Sequence, residues 1–244
     1  MRDAIRDLGR GALDLFWPRE CYACASTLGG TRDPWLCLQC RAALPLFLDG
    51  DSLCHRCARP LGPATTAGAC PDCRQVHPRF EEVRAAGAYR GPLRRLVTGF
   101  KYARRPSCAW PLGELMAERI RGWATLHDGV VLVPFPTTDA ARRRRGFDPP
   151  ALLAEEIARR LRIPLAPGVL RRIGDPPPQA SLSRTGRLDG PRGSVAVAEG
   201  ETLPGRTVLL VDDVLTTGAS ASEAARCLLE AGAERVMVTV AARA

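Results

Sequence analysis

Residues able to do chemistry concentrate in two stretches of this 244-residue chain. The first is Val208-Leu209-Leu210-Val211-Asp212-Asp213-Val214-Leu215-Thr216-Thr217-Gly218-Ala219-Ser220. A continuous apolar run leads into two adjacent carboxylates, and a turn carrying three hydroxyls follows. The run reads as a strand buried on both faces of a parallel sheet. Beyond the turn, Ser222 to Gly232 has helical character, with Gly232 near the C-terminal end. That order sets backbone N–H groups and the hydroxyls of Thr216, Thr217 and Ser220 at a helix N-terminus, where a phosphate is held. Asp212 and Asp213 then stand where ribose hydroxyls, or a metal bridging them, would be met.

The second stretch holds eight of the ten cysteines, as Cys21/Cys24, Cys37/Cys40, Cys54/Cys57 and Cys70/Cys73. A shift of 33 residues lays the first two pairs on the last two without a gap, and the flanks repeat with them. Cys21-Tyr-Ala-Cys-Ala-Ser-Thr-Leu-Gly matches Cys54-His-Arg-Cys-Ala-Arg-Pro-Leu-Gly, so the unit is duplicated. Each copy carries the spacing of a tetrahedral Cys₄ zinc ribbon. A copy is too short to bury a sufficient core, so the metal must supply folding free energy. Disulfides would need an oxidising compartment, and Met1 to Trp17 lacks the apolar segment of an export signal. The complete ligand set in each copy favours sequential sites, with a cross-braced pairing as the alternative. Four thiolates leave no open position, so both metals are expected to be structural. His55 and His77 read as bystanders, and Cys108 and Cys227 as small core residues.

The elements that must position these groups alternate from about residue 80. Val83–Tyr89 is predicted as a strand, and helices are predicted over 91–102, 111–124 and 150–161. Further strands are expected at 130–134, 169–171, 195–197 and 207–212, with Val236–Val240 closing the sheet. The predicted organisation is residues 1–80 for an N-terminal amphipathic helix and the ribbons, and 81–244 for an α/β domain. Asp175 to Arg192, with three consecutive prolines, reads as a flap able to close over a ligand.

The strand, acid pair and hydroxyl turn resemble the ribose-phosphate signature of type I phosphoribosyltransferases, which bind phosphoribosyl pyrophosphate (PRPP). The resemblance implies contacts from Asp212 and Asp213 to the ribose hydroxyls, and from Thr216, Thr217, Gly218, Ala219 and Ser220 to the 5′-phosphate. It also places Val133-Pro134-Phe135-Pro136-Thr137 where such folds bind pyrophosphate. Pro134, Pro136, Lys101 and Arg145 join the candidate site, and Mg²⁺ is expected with PRPP. The whole series narrows the likeness. A zinc-ribbon head precedes Tyr89-Arg90-Gly91-Pro92-Leu93, Phe100-Lys101-Tyr102, Val133-Pro134-Phe135-Pro136, Arg145-Gly146-Phe147 and Gln179-x-x-Leu182, and together they resemble the ComF (ComFC) family of competence-associated proteins. The chain departs from that pattern at Asp148-Pro149-Pro150, Asp189 and Ser194-Val195.

The family implies a part in natural transformation, with contact to single-stranded DNA and to the uptake helicase or translocation machinery at the cytoplasmic face. The alternative is an active phosphoribosyltransferase serving a small nucleobase or amine. A third reading makes PRPP a regulatory ligand of an adaptor. A formal charge of +9 suits polyanions, and residues 140–192 carry +7 of it. Lys101 is the sole lysine. With aromatics at 5%, stacking platforms reduce to Trp17, Tyr22, Trp35, Tyr102 and Phe147. No apolar run reaches the ~20 residues of a bilayer span. The expected location is the cytoplasm, or the periphery of the inner face of the membrane through the N-terminal helix.

Overall fold

The computed structural model describes residues 19–28, 33–62, 68–123, 129–173, 193–203 and 206–244. The expected N-terminal helix and the flap over 175–192 lie outside the described residues.

Four parallel strands form the central sheet: β1 (Val83–Ala88), β2 (Val130–Pro134), β5 (Thr207–Leu215) and β6 (Arg235–Arg243), in the order β1-β6-β5-β2. The last strand therefore lies inside the sheet between β1 and β5, and does not close its edge as the sequence suggested. β3 (Leu170–Arg172) and β4 (Val195–Val197) do not join that sheet either; they pair with each other as an antiparallel hairpin. Strands of three residues cannot reach far into a core, and these flank the segment expected to act as a flap.

Alternation along β5 builds two cores. Leu209 and Val211 face one layer, Val208 and Leu210 the other. The first layer contains α3 (Gly91–Tyr102), α4 (Ala109–Ile120) and α6 (Pro149–Leu161). In α3, Leu93, Leu96, Val97 and Phe100 are fully buried, the spacing of one helical stripe. The helix expected at 111–124 starts two residues earlier and ends at Ile120. The second layer contains α7 (Ala219–Glu230) and the β3–β4 hairpin.

The two zinc-ribbon copies divide between these layers. Cys21, Leu28, Leu36, Cys40 and Leu44 belong to the first core, and Cys54, Cys57, Cys70 and Cys73 to the second. Within the copies the duplication is visible in the backbone. Glu20↔Thr27 and Leu53↔Pro60 are equivalent antiparallel bridges, and Ala25 and Ala58 are equivalent left-handed residues. Short helices α1 (Leu38–Ala42) and α2 (Pro71–Val76) each start beside a cysteine.

The segment joining the copies caps the free edge of β1. Phe47 N–H donates to Ala86 O and Ala88 N–H to Pro45 O, both at 2.9 Å, around an antiparallel bridge of Leu46 with Gly87. At the other edge, Leu132 N–H donates to Pro164 O at 2.8 Å and Ala166 N–H to Leu132 O at 2.9 Å. Both edges of the sheet are thus covered, which removes a template for unwanted pairing.

Gly87 permits the first of these contacts, because a Cβ there would lie 2.3 Å from Pro45 O. Gly87→Ala is expected to cost about 2 kcal/mol, the scale of an overpacked interior site, read as a lower urea midpoint at unchanged m-value.

Candidate functional site

A cavity of about 490 Å³ opens across the carboxyl ends of β5 and β2. Neighbouring strand residues point to opposite faces, yet Asp212 and Asp213 both line it, since it straddles the end of the sheet. Asp213 is only 5% exposed and Asp212 is partly exposed. The Asp213 N–H donates to Asp212 Oδ1 at 2.8 Å. Lys101, from the last turn of α3, reaches Asp213 Oδ1 with its Nζ at 2.8 Å.

Burial, then the charge of Asp213, pushes the Asp212 carboxyl well above the usual carboxylate range. Burial works against the Lys101 ammonium too. The charge and hydrogen bond of Asp213, with Asp212 behind it, outweigh that and hold its pKa above the ordinary value. The pair plus lysine therefore carries less negative charge than two free carboxylates would.

Beyond the acids, Thr216, Thr217, Gly218 and Ser220 line the same cavity at the start of α7. Gly218 is the N-cap residue and sits at φ +83°, a conformation glycine adopts freely. Its open side faces the Phe80 ring, 3.4 Å from where a Cβ would stand. The Thr217 hydroxyl accepts from Ala219 N–H at 3.3 Å, and Ser222 Oγ accepts from Arg79 N–H at 3.0 Å.

The third wall is the loop after β2, Phe135 to Thr138. Thr138 caps α5 (Asp139–Arg145), its hydroxyl accepting from Ala141 N–H at 3.2 Å. Thr137 Oγ1 donates to Asp148 Oδ1 at 2.8 Å. Arg172 fastens the loop from β3: its Nε donates to Pro136 O at 3.2 Å and its guanidinium lies 5.1 Å from the Phe135 ring centroid. A second cavity of about 620 Å³ lies behind this wall, with Arg142, Arg143, Arg171 and Arg172 in its lining.

Of the candidate ligand-binding residues, Lys101, Pro136, Arg145, Asp212, Asp213, Thr216, Thr217, Gly218 and Ser220 meet around the first cavity. Pro134 lines the second, and Ala219 lines neither. Arg172 lines both, and no sequence pattern marks it, because it becomes relevant only when β3 packs on the loop. The four arginines in succession point different ways: Arg142 and Arg143 to the second cavity, Arg145 to the first with its guanidinium 5.9 Å from the Tyr102 ring centroid. Most of the expected stacking aromatics are otherwise engaged. Phe147 stacks on Phe100 at 5.4 Å, Tyr22 packs on the core and Arg160 covers Trp35. Tyr102 is 67% exposed and has Arg145 beside its ring, while Trp17 lies outside the described residues.

The cysteines form two four-membered groups, Cys21/Cys24/Cys37/Cys40 and Cys54/Cys57/Cys70/Cys73, each with all sulfurs within 4.8 Å of one another. This is the sequential pairing. Cys24 and Cys37 sulfurs are 3.8 Å apart and those of Cys57 and Cys70 3.7 Å. A tetrahedron with Zn–S of ~2.3 Å needs ~3.8 Å between sulfurs, so the donors fit Zn²⁺. Cys40 N–H points at Cys37 Sγ and Cys70 N–H at Cys54 Sγ, the outer contacts that orient thiolate ligands.

The chain matches the double zinc ribbon domain over residues 12–74 and the phosphoribosyl transferase domain over residues 151–244. Competence protein F of Haemophilus influenzae is 30% identical over 172 residues, covering 68% of this chain and 75% of that protein. This chain belongs to the competence protein F (ComF) family. The DNA utilization protein YhgH of Escherichia coli K12 is 30% identical over 66% of this chain and 71% of its own. ComFC of Bacillus subtilis is 35% identical over 42% of this chain and 39% of its own. The fold is accordingly that of a type I phosphoribosyltransferase, a parallel sheet flanked by helices, behind a double zinc ribbon.

One ComF departure has a structural use here. Asp148-Pro149-Pro150 opens α6, with proline in the first turn where no N–H is needed. The Asp148 carboxylate does not cap that helix but holds Thr137, so it orders the loop between the cavities. The second cysteine cluster is also tied to the strand end that leads into the turn at 216–220. Buried Arg243 donates from Nε to Cys57 O at 2.8 Å and from Nη1 to Leu215 O at 3.1 Å.

Two outcomes follow from this geometry. Each chain should release two zinc equivalents to a chelating dye on thiol blocking, and Cys21→Ser or Cys54→Ser should each remove one and leave the other. Asp212 has a raised folded-state pKa, so its contribution to stability is present at low pH and fades as pH rises through that value. Asp212→Asn should therefore raise the melting temperature at about pH 8, with the gain shrinking toward pH 5; a constant gain would contradict the burial of the charge.

Proposed function

We propose that this ComF-family protein binds PRPP in the 490 Å³ cavity. The observation supporting it is the meeting of an acid pair, a hydroxyl-bearing helix N-terminus and the cations Lys101, Arg145 and Arg172 around one space large enough for a sugar phosphate. In this reading Thr216, Thr217, Gly218 and Ser220 hold the 5′-phosphate with the first N–H groups of α7, and Ala219 sets the helix start. Asp212 and Asp213 accept from the ribose hydroxyls. Pro136 with Thr137 and Thr138 presents backbone toward the pyrophosphate. Pro134 ends the strand that aims that loop. Magnesium, if bound with PRPP, would neutralise charge on the pyrophosphate.

The biological setting we propose is DNA uptake, with single-stranded DNA and the translocation machinery as partners on the cytoplasmic side. No helix among the described residues is long and apolar enough to cross a membrane. Single-stranded DNA would lie along the arginines of the second cavity. Arg143 and Arg171 have no hydrogen-bond or ion-pair partner among the described residues, and Arg142 has only the exposed Asp139 at 2.8 Å. The competing reading, turnover with a nucleobase or amine, draws on the room this cavity offers beside the loop.

Calorimetry with PRPP and Mg²⁺ should give affinity that Asp212→Asn/Asp213→Asn lowers at least about tenfold, or 1.4 kcal/mol; unchanged affinity removes the site. Fluorescence anisotropy of a single-stranded oligonucleotide should weaken steeply with salt. Arg143→Gln with Arg171→Gln should flatten the log–log slope by about 0.7 per arginine. Pyrophosphate release on adding any of a panel of bases or amines would favour the enzyme reading.

A further inference from the structure

Among the described residues, Lys101 is the cation in direct contact with the acid pair. All the other basic residues among the 35 Lys+Arg are arginine, yet the residue set directly on the acid pair is lysine. The fully buried stripe of Leu93, Leu96, Val97 and Phe100 anchors α3, and Phe147 stacks on Phe100, so the last turn that carries Lys101 is fixed from two sides. A cation is also favoured at that end of a helix by the backbone dipole.

The side chain is 22% exposed and its partner 7%, and both line the cavity. One donor of the ammonium is spent on Asp213 Oδ1 at 2.8 Å. An ammonium has three donors around a compact charge, which leaves two for a ligand's oxygens. A guanidinium would spread its donors over a larger planar fork, where the ammonium concentrates its charge and three donors at one atom.

This arrangement disagrees with direct binding of magnesium by the two aspartates. Mg²⁺ demands near-octahedral oxygen ligands at ~2.0–2.1 Å and gives up water reluctantly. To use Asp213 Oδ1 it would have to displace an ammonium already in hydrogen-bond contact, and at either oxygen of that carboxylate it would sit beside a like charge. Of the two Asp212 oxygens, Oδ1 already accepts the Asp213 N–H.

We propose that Lys101 is the resident cation of the sugar pocket: it neutralises the acid pair and bonds the bound ligand, so that a ribose 5-phosphate is held without a divalent metal. This rests on the reading of the cavity as a sugar-phosphate site. Metal dependence then belongs to the pyrophosphate of PRPP, not to the protein's carboxylates.

The experiment uses the full-length, zinc-loaded protein and ribose 5-phosphate as probe, with calorimetry in EDTA-washed buffer and in Mg²⁺, applied briefly enough that both zinc ions stay bound. The wild type should bind within about threefold under the two conditions. Lys101→Met should bind at least about tenfold more weakly without metal, and Mg²⁺ should restore part of that loss, since it can replace the missing charge. Zinc content and melting temperature establish that the variant is folded. Because the chain has one lysine, lysine-selective ¹⁵N or ¹³C labelling gives a single side-chain signal in the unaltered protein, and ribose 5-phosphate should shift it in the absence of metal. The proposal is overturned if the wild type binds ribose 5-phosphate only with Mg²⁺, if Lys101→Met binds as well as wild type in the metal-free buffer, or if the lysine signal does not move at saturation. If neither ribose 5-phosphate nor PRPP binds the wild type in either buffer, the sugar-phosphate reading itself falls, and this inference with it.

Discussion

Keeping two adjacent carboxylates inside the rim of a folded sheet is the constraint from which most of this architecture follows. Asp213 is almost fully covered and has one charged neighbour at hydrogen-bond distance, Lys101. An unpaired charge in that position would cost several kcal/mol, so removing either partner is far more damaging than the pair is stabilising. The lysine must therefore arrive at one point, which explains why α3 is locked by four fully buried side chains and by the Phe100–Phe147 stack. Asp212 meets the same constraint differently: it takes an N–H from Asp213 and is driven toward its neutral form. Strain of this kind, tolerated at the mouth of a cavity, is characteristic of sites kept for a ligand rather than for stability.

The zinc ribbons belong to the same structure and are not a detachable head. One copy packs with α3, α4 and α6 on one face of the sheet, while the other packs with α7 on the opposite face, and the segment between them caps the β1 edge. Arg95 Nε donates to Ala23 O at 2.8 Å on the first side. On the second, Arg243 spans Cys57 O and Leu215 O, and Val83 N–H donates to His55 O at 3.1 Å. Metal held by the second copy would thus also fix the exit of β5, two residues past the acid pair. A ribbon used only to contact another molecule would not need to reach that strand.

Polar contacts around the loop after β2 show how a departure from a family pattern is absorbed. Asp148 gives up the capping of α6 and holds Thr137, while Arg172 grips Pro136 O and Phe135 from the opposite side. The loop is therefore held between an acid on one element and a base on another. That leaves its backbone orientation set before any ligand enters, which is the condition for a low cost of binding.

Much of this could be read from the chain because it is local. A run of apolar residues in β5, helical stripes in α3 and α6 and the duplicated Cys-x-x-Cys spacing each follow from neighbours a few residues apart. Proximity in sequence also favoured the grouping of cysteines that the structure shows, since each copy carries a complete ligand set, and only the fold excluded the cross-braced alternative. Tertiary structure alone decided what depends on distant partners. These are the place of β6 inside the sheet, the separation of the β3–β4 hairpin from it, the use of Gly87 as a crossing point, Arg172 as a clamp and Lys101 as the counter-ion of Asp213. Strand order and long-range charge pairing depend on how layers stack, and a side chain's partner across 112 residues leaves no periodic signal in the chain that carries it.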